Sequence, residues 1–422
     1  MSDEPLAGSY KYGGISMDPL IAAAGRALAT GDPLSALKGI ALRQDAPALA
    51  LRGIAMAQLG DLARARELLR GAIREFGPRN PLARARCMVA DAEIALVSRD
   101  LGRTSSALNT ARMALIAAGD KANAAHAGYL EARRLLLIGN LDQAEMLLND
   151  IEAKALPRPS EVGRQLVLAG LAIRRIKAEP AKIALAQAYR IAKETGIAPL
   201  LAEVEQAGRA LQAPAARLIS HATERSLRLD EVETLLSSDV LIVDACRNVV
   251  RMGTTSVSLT TRPVLLTLVR TLAESWPDDA PRELLLKRAF HTRQSDESHR
   301  ARLRVDIARL REALQPLATL TATQRGFALL PRAERGIAVL APPVEDDHAD
   351  LLALLADGQA WSSSALALAL NISPRTVQRA LEELLRQGKV ERFGRGRACR
   401  WIASNVPGFP TSLLLPTAGI SV

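Results

Sequence analysis

Residues 296–314 of the 422-residue chain read DESHRARLRVDIARLREAL, where apolar residues interrupt five arginines. On a helix at about 100° per residue, the apolar residues form one narrow stripe: Leu303, Ile307, Leu310 and Leu314. The opposite side carries small residues and arginines, namely Ser298, Ala301, Arg302, Val305, Ala308 and Arg309, while one flank carries Arg300, Arg304 and Arg311. The stretch predicts a helix that docks through its leucines and presents a basic surface. A solvated charged helix is the alternative, and the flanking sequence has to decide.

The composition favours a folded protein with a polyanionic partner. The net charge is +10 and 48% of the residues are hydrophobic, whereas only 3% are aromatic, which disfavours recognition of bases by stacking. Three widely spaced cysteines fit a reducing cytoplasm without a disulfide framework. The sequence has no signal-peptide pattern and no long apolar run, so we expect a cytoplasmic, nucleoid-associated protein without membrane contact. Residues 1–16 are expected to form a flexible leader.

A repeat runs through the alanine- and leucine-rich region from 17 to 238. Four segments superpose on Leu62, Leu101, Leu141 and Ala181, with spacings of 39, 40 and 40 residues. A fixed period of this size predicts stacked helical hairpins, because one hairpin cannot bury its apolar face alone. An ordinary helical bundle is the alternative.

Residues 46–78 resemble a tetratricopeptide unit. The family's small-residue positions match Gly53, Gly60, Ala65 and Ala72, and Pro78 closes the unit; the unit with GNLDQAEMLL keeps Tyr129, Ala132, Gly139 and Ala144. The other two units depart from the pattern, and the period is longer than the family's usual repeat. The resemblance implies an α-solenoid whose surface receives a signal, binds a protein or peptide, or mediates homo-oligomerisation.

From 239 to 335 the composition changes to short strands, three helices and a hairpin about Arg325-Gly326. SVSLTTRPVLLTLV, RELLLKRAF, IARLREAL and TATQRGFAL, within 240–332, resemble the OmpR-type winged-helix DNA-binding domain. The resemblance implies that the third helix enters the major groove of double-stranded DNA and that Arg309 reads bases. A His often contacts DNA where Asp306 stands here, and a basic residue is common at the position of Thr323, which Arg325 replaces. Nothing resembles a receiver domain, so phospho-aspartate control is not inferred.

A second unit follows at 347–402, after GIAVLAPPVE, which reads as a short strand and a proline-rich linker over 336–346. It resembles a generic bacterial winged helix-turn-helix, with KVERFGRGRACRWI as a basic hairpin. Its third helix would bury Val377, Leu381 and Leu384 and be capped by Ser373, leaving outward-facing residues at its N-terminal end: Arg375, Thr376, Gln378 and Arg379. Residues 403–422 are expected to form a weakly structured tail.

The positive charge is concentrated on the elements expected to touch DNA. Residues 281–332 carry eleven basic against five acidic residues, and residues 373–402 carry eight against three. The predicted base-reading residues are Arg302, Arg309, Arg375, Gln378 and Arg379. The predicted phosphate or minor-groove contacts are Arg300, Arg304, Arg311, Arg325, Arg392, Arg395 and Arg397, with Thr321 and Thr376 as further DNA contacts. Each arginine taken alone is equally compatible with a solvated or ion-paired surface charge.

No catalytic, metal or cofactor site is predicted. The five histidines lack metal-ligand spacing, and Asp296, Ser298 and His299 lie too close along a helix to converge as a triad. The predicted fold class is mainly α, an N-terminal tetratricopeptide-like α-solenoid followed by two α+β winged-helix domains. The expected function is a sequence-specific transcriptional regulator, with the alternative of a helical-repeat scaffold or adaptor whose winged-helix units bind proteins.

Overall fold

The structure, a computed structural model, describes residues 18–101, 104–152, 155–220, 223–290, 297–332, 336–343, 348–355, 360–394, 396 and 399–403. In these ranges the chain is mainly helical, as predicted, with eighteen helices and eleven strands. The expected leader (1–16) and the tail beyond residue 403 lie outside the described residues. Contacts divide the chain into two compact units. Here the first unit means residues 1–167, 187–204 and 354–422, and the second unit means residues 168–186 and 205–353.

Eleven helices fill the chain before residue 213. They are α1 (Pro19–Ala29), α2 (Pro33–Ile40), α3 (Ala46–Gln58), α4 (Leu62–Phe76), α5 (Pro81–Val97), α6 (Thr104–Ala117), α7 (Lys121–Leu137), α8 (Leu141–Asn149), α9 (Arg158–Arg174), α10 (Ala178–Thr195) and α11 (Ala198–Gln212). From α1 to α8 each helix packs on the next, and α1, α3, α5 and α7 also pack in succession. Helical hairpins therefore stack in chain order within the first unit.

One turn geometry recurs inside these hairpins. A residue with positive φ follows the first helix of each pair, at positions 31, 60, 99, 139 and 176. The next amide donates back across the turn, as Asp61 does to the Met56 carbonyl at 2.9 Å and Asn140 to the Leu135 carbonyl at 2.9 Å. This is the Schellman arrangement, which satisfies carbonyls at a helix end. Positions 60, 99 and 139 keep the predicted spacing of 39 and 40 residues, whereas α10 begins at Ala178, three residues before the anchor predicted at Ala181.

Small residues stand where paired helices approach most closely. A Cβ added to Gly53 would lie 2.9 Å from Leu69 Cγ and 3.1 Å from the Ala65 carbonyl oxygen. Ala65 and Ala72 are fully buried in the same core. Gly53 and Ala65 therefore lie where α3 and α4 approach each other closely.

The second unit contains a six-stranded sheet of order β2-β1-β9-β3-β4-β5. Its strands are β1 (Ala216–Ser220), β2 (Thr223–Leu227), β3 (Leu241–Asp244), β4 (Val249–Met252), β5 (Thr255–Ser258) and β9 (Ile337–Ala341), and α12 (Leu229–Leu236) lies between β2 and β3. The sequence predicts helical repeats up to residue 238, which is wrong for β1 and β2. The sequence signal for these strands is weak, because β2 is an exposed edge strand with little apolar alternation and the sequence between the two strands contains no glycine.

Residues 337–341 are not a linker. The short strand predicted there exists, but β9 is buried at every residue and pairs antiparallel to β1 and parallel to β3. An uninterrupted apolar run such as IAVLA is typical of a strand covered on both faces. Its two neighbours in the sheet, β1 and β3, lie about a hundred residues or more earlier in the chain. Local sequence patterns do not specify such a pairing.

Three helices and a small sheet follow β5 in the second unit. The helices are α13 (Pro263–Ser275), α14 (Arg282–Phe290) and α15 (Glu297–Leu314), and the strands β6 (Ala280–Pro281), β7 (Ala318–Ala322) and β8 (Gly326–Pro331) pair in the order β6-β8-β7. The helices and the hairpin share one apolar core. β8 crosses β6 so closely that a Cβ on Gly326 would lie 1.8 Å from the Ala280 carbonyl oxygen, so only glycine fits there.

The C-terminal elements are α16 (Ala349–Leu355), α17 (Ser363–Leu370), α18 (Pro374–Arg386), β10 (Val390–Phe393) and β11 (Arg400–Ala403). Asn371 ends α17 with positive φ, and the predicted N-cap Ser373 accepts a hydrogen bond from the Thr376 amide at 3.1 Å. The predicted core stripe of α18, Val377, Leu381 and Leu384, is fully buried. Trp361 forms a two-way backbone bridge with Trp401, which adds a third short segment to the hairpin.

Candidate nucleic-acid interface

Helix α15 separates an apolar face from a basic one. Leu303, Ile307, Leu310 and Leu314 are buried in the core, as predicted. On the other side the side chains of Arg302 and Arg309 are 63% and 66% exposed. Val305, between them, is half exposed. The amphipathic reading of the opening stretch is therefore confirmed, and the two arginines assigned to base reading share one outer surface.

Asp306 is a buried acid on this helix, which the sequence reasoning did not anticipate. Its side chain is only 9% exposed, and its two oxygens face different arginines. One accepts a hydrogen bond from Arg309 Nη1 at 3.3 Å, and the other lies 3.9 Å from Arg302 Nε. The helical wheel contains the signal, since residue 306 borders the apolar stripe three residues after Leu303 and four before Leu310.

A cleft of about 780 Å³ runs along this outer surface. One side is the start of α13, where Arg262 and Pro263 lie, and the other is the outer face of α15 with Arg302 and Arg309. Arg302 also stacks on Phe290, with its guanidinium carbon 4.8 Å from the ring centroid. Arg262, which lines the same cleft, was not among the residues predicted to touch DNA.

The flank arginines of α15 have partners of their own. Arg300 and Arg304 approach Glu297 at 3.6 and 3.2 Å, and all three side chains are largely exposed. Exposed pairs of this kind contribute about 0–1 kcal/mol, so they leave both arginines available to phosphate. Arg311 differs, because its Nε donates to the Leu320 carbonyl of β7 at 3.0 Å. Arg311 therefore ties the helix to the hairpin.

Side chains from outside the hairpin, Arg282 and Asp279, hold the β7–β8 turn in place. Arg282 donates to the carbonyls of Gln324 and Thr323 at 2.8 and 3.0 Å, and Thr323 donates to Asp279. These contacts leave Arg325 71% exposed at the tip, 3.7 Å from Asp279. Thr321, the other predicted contact of the hairpin, is partly buried within β7, opposite Ala328. Arg282 is a positioning residue that the sequence reasoning missed.

Helix α18 carries the second predicted surface. Arg375, Thr376 and Arg379 are exposed near its N-terminal end, as expected from the cap and the core stripe. Gln378 is half-buried and donates to Glu382 at 3.0 Å, so its amide is already engaged along the helix. Arg392, on β10, has its guanidinium carbon 5.9 Å from the centroid of the Trp401 ring. Arg395 and Arg397 lie outside the described residues.

Trp361, Ser362 and Arg400 contact the residues that follow α5, in the same compact unit. Arg99, which has positive φ, places its guanidinium 5.2 Å from the Trp361 ring centroid. Arg400 Nε donates to the Ser98 carbonyl at 3.3 Å, and the Ser362 hydroxyl donates to the Arg99 carbonyl at 3.4 Å. One hairpin turn therefore holds the strand that bears Trp401 and the segment that bears Trp361.

A buried polar network links three helices of the first unit, α5, α7 and α9. His126 on α7 bonds through Nε2 to Glu93 on α5 at 3.1 Å and through Nδ1 to Ser160 on α9 at 3.0 Å. The bonding order is that of an acid, a base and a hydroxyl, but all three side chains are buried, so Ser160 offers no surface to a substrate. Nearby, burial raises the pKa of Cys87 to about 12, which disfavours a reactive thiolate.

Two further observations concern the described residues only. They contain no cluster of three metal-ligating side chains. None of their helices is long and apolar enough to cross a membrane.

No family model matches the chain, and the comparisons with curated proteins and with solved structures give no match either. Function is therefore inferred from the residues and from their geometry.

Proposed function

We propose that the chain is a sequence-specific DNA-binding transcriptional regulator that acts on the DNA of the nucleoid. The observation that carries the proposal is the outer face of α15, where Arg302 and Arg309 project from a helix seated on leucines. Arginine bonds in bidentate fashion to guanine O6 and N7, which contributes about 1–3 kcal/mol of discrimination. A scaffold has no need for exposed arginines at these positions.

The element order around α15 supports the same proposal. Three helices are followed by a hairpin whose tip carries Arg325, and β6 pairs with that hairpin. This order resembles the OmpR-type winged helix, with α15 as the recognition helix and β7–β8 as the wing. Arg300, Arg304 and Arg325 would then bind phosphates or the minor groove and make affinity depend on salt.

The C-terminal elements form the second reading head of the proposal. Helix α17, the Asn371 turn, α18 and the β10–β11 hairpin follow the helix-turn-helix order, and Arg375 and Arg379 are exposed. Two heads in one chain raise avidity when both reach DNA together. The stacked hairpins, proposed as a tetratricopeptide-like solenoid, would receive the signal, bind a protein or peptide, or mediate homo-oligomerisation.

The proposal is tested by two matched substitutions on α15. Arg309→Ala and Arg304→Ala each remove one exposed guanidinium, so they change the net charge equally. We expect Arg309→Ala to relax the preference at one base pair by about 1–3 kcal/mol, and Arg304→Ala to weaken binding to all duplexes about equally. Fluorescence anisotropy with a preferred duplex and its single-base variants separates the two effects. If neither substitution altered binding at moderate salt, the role of α15 would be wrong.

A scaffold or adaptor is the second candidate, favoured by apolar side chains exposed on the array. Met113 and Ile116 on α6 and Met146 on α8 are each at least half exposed. Exposed apolar residues of this kind are common at protein-binding surfaces. A chain that bound a partner protein but no duplex DNA would favour this candidate.

A further inference from the structure

We propose that Asp306 determines the sequence specificity of α15 by positioning Arg302 and Arg309 for base recognition. The inference rests on the proposed DNA-binding function and concerns the same surface. It assigns to a buried carboxylate a task that the arginines alone cannot perform, namely holding two long side chains in one orientation before DNA arrives.

The contacts of Asp306 leave the base-binding edges of both arginines outside them. Arg309 uses Nη1 toward one carboxylate oxygen, so its Nε and Nη2 lie outside the contact. Arg302 approaches the other oxygen through Nε, so its Nη1 and Nη2 lie outside the contact. A guanidinium needs two adjacent nitrogens to bind O6 and N7 of guanine, and each arginine keeps such a pair.

Burial of the carboxylate distinguishes this contact from the exposed ion pairs of the same helix. The Asp306 side chain is 9% exposed, whereas the Glu297 partner of Arg300 and Arg304 is 70% exposed. Water screens the buried carboxylate less, and a buried charge needs its partners. Arg302 is held twice, because Phe290 lies under its guanidinium at 4.8 Å. Arg309 depends more on Asp306, since its exposed side chain bonds to that carboxylate.

The same burial argues against direct reading by the acid. Acidic side chains on recognition helices accept a hydrogen bond from cytosine N4, but this requires an oxygen that reaches the groove. Both Asp306 oxygens face arginines, and the side chain borders the core stripe. Asp306 is therefore a positioning residue, which fixes the rotamers of Arg302 and Arg309 and lowers the entropy lost on binding.

The chain offers a charge-matched control on the same helix. Glu312 is exposed and lines the cleft shared with Arg302 and Arg309. Asp306→Asn and Glu312→Gln each remove one negative charge and retain nearly the same shape. A purely electrostatic effect on DNA affinity would appear in both variants, whereas loss of positioning would appear only in Asp306→Asn.

The experiment uses the full chain and begins with a randomised duplex library, from which the wild-type protein selects its preferred sequence. Affinities for that duplex and for each single-base-pair change are then measured for both variants. We expect Asp306→Asn to reduce discrimination roughly 10-fold at the base pairs read by Arg302 and Arg309, with unchanged or stronger binding to scrambled DNA. Glu312→Gln, which removes a negative charge from the cleft, should instead strengthen binding to all duplexes about equally.

A double substitution of Asp306 and Arg309 distinguishes positioning of the arginine from a merely structural role of Asp306. If Asp306 acts through Arg309, adding Asp306→Asn to Arg309→Ala should cause no further loss at the base pair that Arg309 reads. Asp306→Glu, which keeps the charge but displaces the carboxylate, should also reduce discrimination and serves if Asp306→Asn fails to fold. Three results would each overturn the inference but not the proposed function. The first is wild-type discrimination in Asp306→Asn or Asp306→Glu, and the second is equal effects of Asp306→Asn and Glu312→Gln. The third is an additive loss when Asp306→Asn is combined with Arg309→Ala. Failure of the wild-type protein to select any sequence would overturn the proposed function as well.

Discussion

Replacement of Gly326 by alanine should open the hairpin that carries the proposed wing. The new Cβ would lie 1.8 Å from the Ala280 carbonyl oxygen and 2.8 Å from its carbon. Contacts below about 3 Å do not occur between unbonded atoms of this type, and both groups belong to backbone, so the strands must separate by more than about 1 Å. Three hydrogen bonds of Arg282 cross this junction: one from its amide to Arg325, and two from its guanidinium to Thr323 and Gln324.

The magnitude follows from those bonds. One neutral bond contributes about 0.5–1.5 kcal/mol and each bond from a charged group about 1.5–3 kcal/mol, and exposure of Arg282 favours the lower values. We expect a loss of about 3 kcal/mol, which corresponds to a roughly 100-fold rise in local opening. Hydrogen–deuterium exchange of the full chain measures this as faster exchange of the Arg282 and Phe327 amides.

Gly208→Ala is the control within the same compact unit. It lies in α11, and an added Cβ there meets no atom within 4 Å. Alanine in an open helical position stabilises by about 0.5–1 kcal/mol, so this variant should exchange no faster than the wild type. Wild-type exchange of the Arg282 amide in Gly326→Ala would refute the close crossing of β6 and β8.

Two further experiments test the packing of the proposed reading heads. Leu310→Ala removes a fully buried side chain and should lower the free energy of unfolding by about 2–5 kcal/mol in urea titrations. Val305→Ala, on the exposed face, should change the free energy of unfolding by less than about 0.5 kcal/mol. Equal effects of the two substitutions would contradict the orientation of α15. Arg99→Ala removes the guanidinium over Trp361 and should destabilise the C-terminal elements by about 1–2 kcal/mol, measured by tryptophan fluorescence during unfolding; an unchanged transition would show that the stacking contributes nothing.

Local patterns predicted the helices well because their signals are local. The α15 stripe, the Ser373 cap and the α18 core follow from residues three or four apart, and the structure has them as expected. The turn period follows from the Schellman geometry repeated at 60, 99 and 139. Each of these features depends on residues within one helix or one turn, or on a repeat of such segments.

Strands β1 and β2 and the pairing of the sheet in the second unit were missed, because that pairing is not local. Strand β9 joins β1 and β3 across about a hundred residues, and nothing in IAVLA names either partner. Strand β2 has a single apolar residue, Leu227, since it forms the edge of the sheet. The exposed residues therefore gave no alternation that would have distinguished a strand from the end of a helical region.

At the candidate site the sequence indicated which arginines are exposed but not what holds them. Arg302 and Arg309 could be placed on one face by helical spacing, whereas the burial of Asp306 depends on how closely α15 approaches the core. Arg282 and Arg262 were missed because their positions depend on contacts with the hairpin and with α15, both distant in sequence.

The most direct measurement of the central proposal is selection of duplex DNA from a random library by the wild-type full chain, followed by titration of the selected duplex at several salt concentrations. A sequence-specific regulator should enrich a defined motif containing guanine. Its affinity should fall steeply with salt, with a slope of the logarithmic plot near −0.9 for each phosphate bound. An unenriched library together with no measurable affinity for duplex DNA at low salt would contradict the proposal.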